Sequence, residues 1–96
     1  MGKNLHAKGH RAVLDKVAEI VYDRTGYEEV VIRRGVGGGV LIDLFHYHHK
    51  KIYSKDQFQI RDGCIDYGQI KGFELSAEIV RSIEAAVECG IELNAH

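Results

Sequence analysis

The sequence predicts an α+β fold: a two-layer sandwich made from a helix, a four-stranded antiparallel meander and a second helix. Three observations predict it. Apolar residues recur at spacings of three and four near both ends of the chain. Between those stretches the period changes to two. Asp62-Gly63 then separates two alternating runs, the pattern of a two-residue hairpin turn.

The first helix is expected at about residues 10–24. Val13, Leu14, Val17, Ala18, Ile20 and Val21 make its apolar stripe, and Arg11, Asp15, Lys16, Glu19 and Asp23 fill the other side. Gly26 is the stop, because glycine accepts the left-handed conformation that closes a helix. Residues 28–34 and 40–48 are rich in β-branched residues and read as strands. Residues 57–61 and 64–68 flank Asp62-Gly63 and complete the meander. The second helix is expected at about residues 77–89. Ser76 is its N-cap, Glu78 complements the positive end of its dipole, and Ile79, Val80, Ile83, Ala86 and Val87 form its stripe. Gly90 closes it, with Ile91 placed to fold back on the last turn.

Each helix has one apolar face, so both are expected on the same side of the sheet. Register follows from the need to bury one sheet face. With residues 35–39 as a connecting loop, Val30 and Ile32 oppose Leu44 and Ile42. Ile60 faces Ile65 across the Asp62-Gly63 turn, and Phe58 faces Tyr67. For Ile42 to stand beside Phe58, the second connection needs an odd length. A three-residue turn at residues 49–51 supplies it, or a bulge near residues 54–56. Even-numbered side chains from Val40 to His48 then point toward the helices.

One domain spanning residues 1–96 accounts for the length, with residues 1–9 as a flexible N-terminal segment. The 45% apolar and 28% charged content is that of a globular chain rather than a disordered one. A net charge of -1 implies no general attraction to nucleic acid or membranes. Arg33-Arg34, Lys50-Lys51-Ile52-Tyr53 and Lys3, Lys8 and Arg11 could form basic patches. The last helix opens Ser76-Ala77-Glu78-Ile79, with no lysines to grip phosphate, so nucleic acid is not the expected partner and weak nucleic-acid binding is the second alternative. No apolar run has membrane-spanning length, and no signal peptide is evident. Cys64 and Cys89 fit no zinc spacing and read as free thiols in a reducing cytoplasm.

Two places carry functional expectations. The odd-numbered face has Val31, Leu41, Phe45, Tyr47 and Tyr53, with Tyr27 at its edge and Asp43 in its middle. A sheet face left bare by helices is normally polar, so this one reads as a surface for a protein partner, with a homodimer as the simplest arrangement. The corresponding function is that of a non-enzymatic regulator, inhibitor or adaptor without a cofactor. The second place is the strand end His46-Tyr47-His48-His49. His46 and His48 project together, and with Glu28 or Asp56 they offer a ligand set for zinc or a similar divalent metal, hence hydrolytic or lyase-type chemistry. The competing reading is a solvated rim of histidines bonded to carboxylates. Ser54 opposite His46, with Glu28 behind, resembles a triad on paper, but no strained elbow or oxyanion turn accompanies it. The glycines of residues 35–39 lead from strand to strand, not into a helix, and so read as a hairpin loop rather than a phosphate cradle.

Overall fold

The computed structural model describes residues 2–68 and 74–95, with the backbone alone at residues 2–8, 53 and 54. It is an α+β fold with an antiparallel sheet and two helices. In order, the elements are α1 (Gly2–Thr25), β1 (Glu29–Arg34), β2 (Val40–His48), β3 (Lys51–Arg61), β4 (Cys64–Asp66), α2 (Ala77–Glu88) and β5 (Leu93–Ala95). The sheet order is β4-β3-β2-β1-β5, and every neighbouring pair is antiparallel.

The helix α1 starts at Gly2, well before the apolar stripe begins. Residues 2–9, expected as a flexible lead-in, form its first turns. No proline interrupts them, and Leu5, Ala7, Lys3 and Lys8 are good helix formers. The helix therefore runs through Gly9 despite the ~1 kcal/mol that an interior glycine costs. It ends as expected: Gly26 has φ 74° and its N–H donates to the Tyr22 carbonyl at 3.0 Å. The cap of α2 also follows the sequence. The Ser76 hydroxyl accepts from the Ile79 N–H at 3.2 Å. At the other end, Gly90 N–H donates to Val87 and Ile91 N–H to Ala86, a paired closure that turns Ile91 back onto the core.

The sheet has five strands among the described residues, one more than the meander. The fifth, β5, pairs with β1 through Val30↔Ala95 and Ile32↔Leu93. It was missed because three residues after a helix carry too little alternation to register as a strand. The meander itself has the anticipated register. Val30 stands opposite Leu44, Ile32 opposite Ile42, Ile42 opposite Phe58, and Ile60 opposite Ile65. Asp62 and Gly63 both have positive φ, 53° and 75°, as a type I′ turn requires.

Both helices lie on one side of this sheet. The core is formed by Leu14, Val17 and Val21 of α1, Val80, Ile83 and Val87 of α2, and the even-numbered strand residues Val30, Ile32, Val40, Ile42, Leu44, Phe58 and Ile60. Phe45 and Tyr47 therefore lie on the side away from the helices, as the pleat of β2 demands.

Two backbone slips reshape one end of the sheet. The connection between β2 and β3 is a two-residue turn, His49-Lys50, rather than three residues. The odd count is restored by a bulge: His46 pairs with Ser54 but Tyr47 pairs with Ile52, leaving Tyr53 as the extra residue. A similar slip occurs at the start of β1. Glu28 N–H donates to the Phe45 carbonyl at 2.9 Å, although Phe45 is also the residue opposite Glu29. Two residues thus face one, and Tyr27 is turned to the opposite side from the one strict alternation predicts.

Candidate functional site: the open sheet face and the histidine rim

The helix-free face is built from odd-numbered residues of β1 and β2 and their neighbours. Val31, Leu41, Phe45 and Tyr47 are each half-buried there. Ile52 joins them through the bulge, which sets it opposite Tyr47 and leaves it 57% exposed. Sequence reasoning missed Ile52, because a three-residue turn would have placed it opposite His48. Tyr53 was expected on this face; its side chain lies outside the described residues. Tyr27, also expected here, is on the helix side, for the reason given above.

Two carboxylates interrupt this apolar surface, and both are partnered. Asp43 is only 4% exposed. It accepts from Arg33 Nε at 3.1 Å and from Gln57 Nε2 at 2.5 Å, groups supplied by the strands on either side. Glu29, 6% exposed, accepts from the Tyr47 hydroxyl. That hydrogen bond, with partial burial and the negative charges of Glu29 and Glu28, raises the Tyr47 phenol above its ordinary pKa. Lys55 places its ammonium 5.6 Å from the centre of the Phe45 ring, and Phe45 and Tyr47 are tilted against each other at 6.4 Å. The alternation Glu29-Val31-Arg33 could have located Glu29 from sequence, since it shares a face with Val31.

The histidine rim is arranged differently from the ligand set the sequence suggested. His46 stacks on the Tyr27 ring, centroids 4.1 Å apart and planes 19° from parallel. The Tyr27 hydroxyl donates to Asp56, which stands diagonally across from His46 as anticipated. Tyr27, only 8% exposed, thus occupies the position expected for Glu28. Glu28 is exposed at the rim beside Tyr47, His49 and Lys50. His48 turns to His49, ring edge to ring face at 4.2 Å, and Lys51 is its cross-strand neighbour. His46 and His48 therefore have separate neighbours. Among the described residues no group of three or more His, Cys, Asp or Glu side chains is placed to hold a metal ion. The Ser54 backbone is opposite His46, but Glu28 is not behind it, so the residues of the triad-like pattern are not brought together.

Tyr22 ties this end of the sheet to α1. Its hydroxyl shares its proton between the carbonyls of Glu28 at 2.7 Å and Ala95 at 2.6 Å. Burial, and secondarily the charge of Glu29, raise its pKa as well. Cys64 and Cys89 are exposed and unpaired. No helix of the described residues is long and apolar enough to cross a membrane. No protein-family model matches the chain, and comparison with curated proteins and with solved structures finds no match.

Proposed function

We propose that the protein is a non-enzymatic binding module of the regulator, inhibitor or adaptor kind, whose open sheet face docks a protein partner, in the simplest case a second copy of the chain in a homodimer. A cytoplasmic setting suits its two exposed thiols. The observation that carries the reading is the composition of that face. Val31, Leu41, Phe45, Tyr47 and Ile52 supply apolar and aromatic area, while both of its buried carboxylates already have hydrogen-bond partners. Covering the face therefore leaves neither acid unpaired, which removes the usual penalty for docking on a charged sheet. Five strands at ~4.8 Å spacing and ~3.3 Å per residue give a flat area on the order of 500 Å² per copy, or about 1,000 Å² for two, which is below the standard interface size and near the least that a specific one buries. A net charge of -1 means that two copies do not repel strongly.

Sedimentation equilibrium tests the reading. The expected result is a dimer that becomes a monomer in Phe45→Ser, with the fold kept because Phe45 lies outside the core. A wild-type chain that stays monomeric up to about millimolar concentration, weaker than any useful self-association, would remove the homodimer.

A further inference from the structure

The tip of the β2–β3 hairpin is chemically unlike the rest of the molecule. From His46 to Lys55 there are three lysines, three histidines and no acidic residue. His48, His49, Lys50, Lys51, Ile52 and Lys55 are all exposed. The net charge of -1 conceals this, because apart from Glu28, which lies beside His49 and Lys50, most of the compensating acids are elsewhere in the chain. Residues 74–95 hold Glu74, Glu78, Glu84, Glu88 and Glu92 against Arg81 alone. At the end of the sheet opposite the hairpin tip, beside the glycine loop, Asp62, Glu84 and Glu88 lie together with Arg34 and Arg61, so the charges there largely offset one another. The hairpin tip, three lysines against the single neighbouring Glu28, is therefore the locally basic end of the sheet, and a polyanion is favoured there over the mixed-charge opposite end.

The geometry narrows the polyanion. β1 pairs with β2 only as far as Phe45, and β4 pairs with β3 only as far as Gln59. Beyond His46 the strand pairing among the described residues is two strands wide, closed by the tight His49-Lys50 turn, with Glu28 alongside one flank. Two residue pairs and the turn project on the order of 10 Å at ~3.3 Å per residue. The major groove of B-form DNA is roughly 12 Å wide and 8.5 Å deep, and it admits a two-stranded ribbon. The major groove of duplex RNA is too narrow for one. The apex carries cations and imidazoles, with Ile52 on the flank, which suits phosphate walls better than a lipid interior. We propose that this hairpin is a finger that enters the major groove of double-stranded DNA, with Lys50, Lys51 and Lys55 on the phosphates and little preference for sequence. It adjoins the proposed docking face, sharing Tyr47, Ile52 and Lys55 with it, and its two tip lysines are tested independently of Phe45.

Fluorescence anisotropy with a labelled mixed-sequence duplex of about 20 base pairs, titrated over a series of salt concentrations, tests this. The expected result is salt-sensitive binding that weakens at least 10-fold in the Lys50→Asn, Lys51→Gln double variant, with the salt slope smaller by about 2. Asn tolerates the positive φ at position 50, so the turn is kept, and an unchanged circular dichroism melt checks it. Absence of binding at low salt, an unchanged slope in the double variant, or equal binding of an RNA duplex would each overturn the proposal. So would binding to phosphatidylserine vesicles with none to DNA.

Discussion

Asp43 is the residue on which the open face most depends. A carboxylate at the centre of an apolar sheet is held in place only because Arg33 and Gln57 reach it from both sides. Asp43→Ala leaves two donors without their acceptor, so stability in urea is expected to fall by about 1–3 kcal/mol, with Asp43→Asn losing less. The tyrosines make a second prediction at this scale. Tyr22 and Tyr47 both have folded-state pKa values above the ordinary phenol value of 10.0. The protonated phenol is therefore favoured by folding. That contribution is whole below about pH 10 and is lost as pH rises from there through the raised values. The urea midpoint should drop between about pH 9 and 11. It should drop less in Tyr22→Phe and Tyr47→Phe, even though Tyr22→Phe starts from a lower midpoint.

Among the elements, the β2–β3 hairpin shows how the same register can be reached by two routes. Parity required an odd number of residues between β2 and the core-facing part of β3, and that requirement was legible in Ile42, Leu44, Phe58 and Ile60 alone. Its location was not. A turn and a bulge satisfy parity equally, and no residue between His49 and Asp56 is a glycine that would mark either. The turn itself is strained: His49 at φ 50° and Lys50 at φ 67° occupy positions that favour Asn and Gly. Replacing His49-Lys50 with Asn-Gly should stabilise the protein by about 0.5–1 kcal/mol in thermal or urea unfolding, without altering the docking face. The slip at Glu28 is the counterpart in β1. It carries Tyr27 onto His46, and nothing in the local sequence announces it.

For the molecule as a whole, the two faces of the sheet differ: one is sealed by α1 and α2, and the other is open. Under the proposed self-association, folding and dimerisation are linked, so the thermal midpoint should rise with protein concentration in the wild type and be independent of it in Phe45→Ser. A concentration-independent wild-type midpoint would separate the face from self-association.

The amino-acid order by itself determined the two amphipathic helices and their caps, the strand periodicity, the Asp62-Gly63 turn and the side of β2 that is buried. Each of these rests on contacts within a turn or between successive hairpin strands, where spacing alone dictates which side chains meet. Only the tertiary structure decided that β5 covers the edge of β1, that Tyr27 rather than Glu28 accompanies His46, and that Ile52 lies beside Tyr47. Those outcomes depend on backbone slips and on pairing between distant segments. A single-residue slip reverses every face beyond it, and periodicity carries no record of where it occurs.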